Sequence, residues 1–260
     1  MLDFFMLLTY FASISRKECH FSMKTRPCFF IFIIFQSFAY LFSLQGCIFL
    51  PSLTKPDADT LIGKHKDKIG KSTQVVLVRD EGLVFFTLVK LYTLEKQGNI
   101  WRLAFEPFDA SIGRNGFSSP GAKREGDGKT PSGVFPLKLA FGYPESVNTK
   151  MPYCQALSDD VWVDDPDSPD YNRWVKLEKT RADSFERMRR DDDLYKYGIV
   201  IEYNTDPVVR GNGSAIFLHV WKCAGMPTAG CVAVSEENIL KILEWLNPAA
   251  HPLIILEAED

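Results

Sequence analysis

Cys231 has the clearest chemical potential in this sequence, and His219 is its nearest candidate partner. A thiol attacks a carbonyl as the thiolate, and its free pKa is about 8.5. Near neutral pH it therefore needs a base or a positive neighbour. His219 stands twelve positions earlier (231 minus 219), at the end of the apolar run Ala215-Ile216-Phe217-Leu218. Cys231 closes Thr228-Ala229-Gly230 and precedes Val232-Ala233-Val234. Gly230 lets backbone approach a ligand closely. Such a pair suits acyl transfer at an amide, with the thiol as nucleophile and the imidazole moving its proton. The plainer reading stays open, because a lone Cys is often a small buried hydrophobe.

Other chemistries fit less well. His219, Cys223 and Cys231 are three potential zinc ligands, as in nucleobase deaminases, which also carry His-x-Glu and Cys-x-x-Cys. Here Trp221 stands at the Glu position and no Cys-x-x-Cys occurs. Gly128-Lys129-Thr130 looks like the end of a phosphate loop, but Lys123 replaces that loop's first Gly and Pro131 follows. The acidic run 159–170 lacks the central Gly and final Glu of a calcium loop. No metal and no cofactor is expected.

The elements that must position the pair read mainly as strands. Residues 74–79, 83–94 and 100–105 are β-branched or partly alternating, with a turn at Lys96-Gln97-Gly98-Asn99. Residues 111–133 are dominated by Gly, Ser, Pro and charge and predict a long loop. A short strand is expected at 134–141, a second loop at 159–170 and a short helix at 182–190. Apolar strands follow at 199–203 and 215–220. One helix is well marked: Ser235 can cap it, Glu236 and Glu237 suit its first turn, and Ile239, Leu240, Ile242, Leu243 and Leu246 form one stripe. Asn247-Pro248 ends it, and 253–256 is a last strand. The expected fold is mainly β, β-sandwich-like mixed sheets with a few helices.

The stretch 217–235 resembles the L,D-transpeptidase (YkuD) family of bacterial cell-wall enzymes. The family motif is a His, a variable loop, then Ser-His-Gly-Cys, a small apolar residue and Arg. His219 matches the first His, Thr228 the Ser, Gly230 the Gly and Cys231 the nucleophile. Ala229 and Ala233 depart, standing at the second His and the Arg. The Thr-Ala-Gly-Cys core resembles one branch of the family. Gly126-Asp127-Gly128-Lys129-Thr130-Pro131-Ser132-Gly133-Val134-Phe135 resembles the family's Gly-Asp-x-x-Thr-Pro-x-Gly-x-Phe loop, which packs near the active site. Asp164-Asp165-Pro166 and Tyr171-Asn172-Arg173 are also similar to family segments. The resemblance covers roughly 74–258 and implies a cysteine acyltransferase acting on peptidoglycan stem peptides. Cys231 would attack the carbonyl of the third stem residue and expel D-alanine. An amine would resolve the thioester, giving a 3-3 cross-link or an attached protein. Water would make the chain an L,D-carboxypeptidase or amidase instead, and a non-catalytic wall-binding lipoprotein is the remaining alternative. The resemblance further implies His219 as general base and acid, the Gly230 carbonyl as its orienting partner and the Cys231 N–H as an oxyanion donor. Thr228, Arg173 and Arg124 are candidates for substrate contact, the two arginines as stand-ins for the charge missing at Ala233.

The remaining sequence says where such chemistry would occur. Met23 is followed by Lys24 and Arg26, an apolar stretch over 29–42 and Leu44-Gln45-Gly46-Cys47. That is the layout of an export signal, and its end resembles a lipobox with Cys47 as the lipidated residue. A single membrane anchor over 29–49 is the alternative. Both place the catalytic half outside the cytoplasm, in a bacterial periplasm, with the membrane as a partner. Residues 1–22 read as a non-native or mis-assigned start, 23–47 as signal or anchor, 48–73 as tether and 74–260 as the catalytic domain. Cys154, Cys223 and Cys231 leave an odd number of cysteines in that domain. The net charge of -3, with no basic stripe, argues against a nucleic-acid partner.

Overall fold

The computed structural model describes residues 57–82 and 88–258. The expected signal or anchor, including Cys47, lies outside the described residues. Two short helices come first, α1 (Ala58–Gly63) and α2 (Lys66–Ile69). The strands are β1 (Gln74–Asp80), β2 (Val89–Gln97), β3 (Ile100–Leu103), β4 (Phe108–Asp109), β5 (Gly133–Gly142), β6 (Tyr153–Gln155), β7 (Asp160–Val163), β8 (Trp174–Lys176), β9 (Phe185–Arg187), β10 (Tyr197–Ile201), β11 (Phe217–Val220) and β12 (Val232–Val234). Helix α3 (Glu236–Trp245) and β13 (Leu253–Glu257) complete the chain.

The fold is mainly β, as expected. One mixed sheet runs β12-β11-β10-β5-β13-β1-β2-β3, with β4 beside β2 and β6 beside β5. Strands β8-β7-β9 form a second, small sheet. Strand β5 serves two neighbours along its length: Gly133 to Pro136 pair with β13, whereas Leu137 to Gly142 pair with β10. A register shift between Ile199 and Ile201 marks the change. The sheet curls there, because an irregular pairing sharpens local twist.

Side-chain alternation splits the core. Val76 and Val78 of β1 join Leu137, Leu218, Val232 and the α3 residues Ile239, Ile242, Leu243 and Leu246. Val75 and Leu77 point the other way, against Leu61, Ile62 and Ile69 from α1 and α2. β1 is thus buried on both faces, which is why 75–78 reads as a continuous apolar run. Residues 57–73 are therefore not a tether. Asp57 caps α1 by accepting from the Thr60 N–H, and three buried aliphatics hold both helices to the sheet. The lysines between them hid that stripe.

Two further expectations change. Residues 182–190 contain β9, not a helix, because Phe185 to Arg187 pair with β7. The acidic run 159–170 contains β7, whose Val161, Trp162 and Val163 are buried. Helix α3 forms as read: the Ser235 hydroxyl accepts from the Asn238 N–H at 3.2 Å, and Glu236 and Glu237 occupy the positive N-terminal end.

Candidate active site

Strands β11 and β12 are parallel, with His219 opposite Ala233 and Leu218 opposite Val232. Continuing that register places Cys231 opposite Phe217. Facing residues of paired strands share a sheet face, so Cys231, Phe217, His219 and Ala233 lie on one side. Strand rise and spacing put the Cys231 and His219 Cβ atoms roughly 8 Å apart on a diagonal, within the joint reach of the two side chains. That face packs under the small sheet. Phe217 meets Trp162, Phe141 and Tyr195 edge-on at 5.0, 5.3 and 5.5 Å between ring centroids. Such contacts contribute about 0.5–1.5 kcal/mol each beyond area burial and make a rigid floor.

Burial favours the neutral form of both side chains. Cys231 is 7% exposed and His219 5%. Burial, and then the Glu186 charge, push the Cys231 thiol up to about 12; the Phe217 N–H, Lys123 and Arg190 pull the other way. Burial pulls His219 down to about 4, against the Val220 hydrogen bond. The thiol donates to the Ala215 carbonyl at 3.2 Å and accepts from the Phe217 N–H at 3.4 Å. These bonds hold sulfur towards the start of β11, whereas His219 lies towards its end.

The carbonyl partner of the imidazole is Val220, not Gly230. Nδ1 of His219 lies 2.7 Å from the Val220 oxygen. A carbonyl only accepts, so Nδ1 carries the proton and Nε2 is the basic nitrogen. The Gly230 carbonyl accepts instead from the Thr130 hydroxyl at 2.8 Å. Thr130 is fully buried and its oxygen also accepts from the Gly113 N–H at 2.9 Å. The Gly126–Phe135 segment thus braces the Gly-Cys turn from behind. A Cβ on Gly230 would meet the Lys129 carbonyl oxygen at 3.0 Å, and one on Gly113 would meet the Gly128 oxygen at 2.4 Å. The close approach at Gly230 is to this segment. Thr228 adds an inner brace, donating to the Cys231 carbonyl at 2.7 Å and accepting from the Gly230 N–H at 3.1 Å.

A second support fixes the carbonyl that holds the thiol. Ala215 sits at φ 53°, a left-handed conformation that a non-glycine residue adopts under constraint. Asn172 supplies the constraint. Its Oδ1 accepts from the Ala215 N–H at 3.1 Å and from Trp162 Nε1 at 2.8 Å. Its Nδ2 donates to the carbonyls of Tyr203 and Asn204. Next to it, Glu125 Oε2 accepts from the hydroxyls of Tyr171 at 2.5 Å and Ser214 at 2.7 Å.

A cavity of about 360 Å³ opens over the pair, lined by His219, Thr228, Cys231 and Ala233. Its charged lining comes from Arg114, Glu186, Arg190 and Lys222. Arg124 and Arg173 are not among its lining residues. Arg124 bends back onto the Gly121 and Lys123 carbonyls, and Arg173 is exposed beside β8. Arg114 and Arg190 line the cavity along with Ala233. Neither carries a local signal: Arg114 sits in a glycine-rich loop and Arg190 in a charged run. Among the described residues, no group of three His, Cys, Asp or Glu is arranged to hold a metal ion, and no helix is long and apolar enough to cross a membrane.

Residues 82–255 match the family model for the L,D-transpeptidase catalytic domain (YkuD). No curated protein matches the chain. Two solved structures are similar. The helical cell shape determining protein Pgp2 from Campylobacter jejuni is 15% identical, over 74% of this chain and 49% of that one, with a TM-score of 0.40. Bd1075 from Bdellovibrio bacteriovorus is 18% identical, over 72% and 48%, also at 0.40. The chain spans about half the length of either.

Proposed function

The chain belongs to the L,D-transpeptidase catalytic-domain family, and from that premise we propose that it is an exported cysteine acyltransferase acting on peptidoglycan stem peptides. The observation that supports this reading is the shared face of β11 and β12, on which Cys231 and His219 lie and line one cavity with Arg114, Arg190 and Lys222. The sulfur attacks the third-residue carbonyl of a stem tetrapeptide, a C–S bond forms, and the thiol proton passes to His219 Nε2. The imidazole then protonates the departing nitrogen, the C–N bond breaks and D-alanine leaves. The Val220 carbonyl keeps the imidazole in the tautomer this requires. Arg114, Arg190 and Lys222 suit a substrate ending in a carboxylate. The Cys231 N–H is the candidate oxyanion donor. An amine on another stem or on a wall-anchored protein resolves the thioester.

The test has two arms. A carbapenem, which opens on a family nucleophile, should leave a mass adduct on Cys231 of the purified protein. Cells carrying Cys231→Ala should lose 3-3 cross-links or protein-linked stems from their muropeptide profile. Bare tripeptides disappearing instead would mean that water is the acceptor. No adduct together with an unchanged profile sinks the enzymatic reading.

A further inference from the structure

Acyl transfer to an amine has a proton problem that Cys231 and His219 do not solve alone. The acceptor arrives as an ammonium ion and must lose a proton before its nitrogen can attack. Among the residues lining the cavity, Glu186 is the carboxylate, while Arg114, Arg190 and Lys222 would repel an ammonium group. Glu186 and Arg190 also line a second, open hollow of about 760 Å³ beside β9, together with Arg187, Arg189, Asp191 and Asp192, so that three carboxylates there offset three guanidinium groups. These two side chains form the partition between the hollows.

The partition is firmly built. The Tyr195 hydroxyl donates to Glu186 Oε2, leaving Oε1 for a ligand. Arg190 is tied to Asp192 by bonds of 2.8 and 2.6 Å and lies over the Tyr195 ring, 5.1 Å from its centre. The same ring meets His219 edge-on at 5.2 Å. Glu186 is therefore one side chain away from the imidazole, and its field reaches the Cys231 sulfur.

Resting on the acyltransferase reading, we infer that Glu186 is the acceptor-side catalytic residue: it binds the ammonium group of a primary-amine acceptor arriving through the second hollow and takes one of its protons. The nitrogen, freed of that proton, bonds to the thioester carbonyl carbon and the C–S bond breaks. A second proton passes through His219 to the departing sulfur, and the third stays on the new amide. Ammonium and carboxylate become amide, thiol and carboxyl, so charge and protons balance. Burial holds the Glu186 carboxyl above the ordinary carboxylate range, against the Tyr195 hydrogen bond, with Asp164 adding to the rise and Arg190 opposing it. A carboxyl so placed keeps the proton it has taken.

The experiment gives the full chain a stem tetrapeptide as donor and a tripeptide stem with a free side-chain amine as acceptor. Three quantities are read for the wild type, Glu186→Gln and Glu186→Asp: the rate of carbapenem adduct formation at Cys231, the acceptor KM, and the ratio of amide product to hydrolysed tripeptide. Glu186→Gln should form the adduct no more slowly than the wild type, because a charge that raises the thiol is gone, while its product ratio falls at least about tenfold and its acceptor KM rises. Glu186→Asp should restore part of the ratio. An unchanged ratio in Glu186→Gln overturns the inference, as does equal loss of adduct and product. A wild type that forms the adduct but only hydrolyses its donor overturns the inference and leaves Cys231 as nucleophile. A wild type without the adduct removes both.

Discussion

Burial decides what Cys231 and His219 do at rest and how they respond to pH. The imidazole, held down to about 4 in the folded chain, has an ordinary value of 6.5. Between those values the unfolded chain binds a proton that the folded chain does not. The stability linked to His219 is therefore complete above pH 6.5 and is lost as pH falls towards 4. The loss between pH 7 and pH 5 is about 2 kcal/mol. His219→Gln should show a fall smaller by that amount when urea unfolding is compared at the two pH values. Parallel pH dependence in both proteins would contradict the placement of a neutral imidazole. The thiol sets the opposite limit. Its value is raised from 9.0 to about 12, so its contribution is present below pH 9 and lost as pH rises through that range. That Cys231 and His219 share a sheet face follows from the sequence, because they are twelve residues apart and lie at a turn and a strand that pair in parallel. Thr130, Asn172 and Glu186 were not legible in these roles. Thr130 meets the Gly230 carbonyl across one hundred residues of chain, and no local pattern encodes such a distance.

At the level of elements, the loop over 111–133 acts as a strut for the Gly230-Cys231 turn that leads into β12. Thr130→Val keeps the shape and removes the hydroxyl, leaving the Gly113 N–H and the Gly230 carbonyl without it in a buried place. The expected cost is about 1–3 kcal/mol in urea unfolding. Carbapenem acylation of Cys231 should slow as well, because the Gly-Cys turn loses its alignment. Wild-type stability together with wild-type acylation would remove Thr130 from the support. Elements with strong local signatures were readable: β1 through its apolar run, α3 through its cap and stripe. The small sheet was not. Its strands are three or four residues long, and β9 carries Glu186 and Arg187 within a run that suits a helix equally well. Strand preference in such segments comes from the neighbour they pair with.

For the molecule as a whole, the boundary of the folded unit lies before residue 74. Leu61, Ile62 and Ile69 cover Val75, Leu77, Tyr92, Leu94 and Ile255 on the outer face of the sheet. Burial of three aliphatic side chains is worth roughly 5 kcal/mol, at the lower end of total domain stability. A protein covering 74–260 should therefore unfold at much lower urea than one covering 57–260, or fail to stay soluble; equal midpoints would return α1 and α2 to the status of a linker. The arrangement at the other side of the sheet has its own consequence. Strand β12 is outermost, and the exchange of two 2.8 Å bonds between Ser111 and Ala233 occupies its free edge. Were Ser111 to peel away, the same few residues would become a template that another molecule's strand can join. Misalignment of Cys231 and self-association would then begin at one place. A copy whose Gly-Cys turn has shifted is also the copy ready to seed an aggregate.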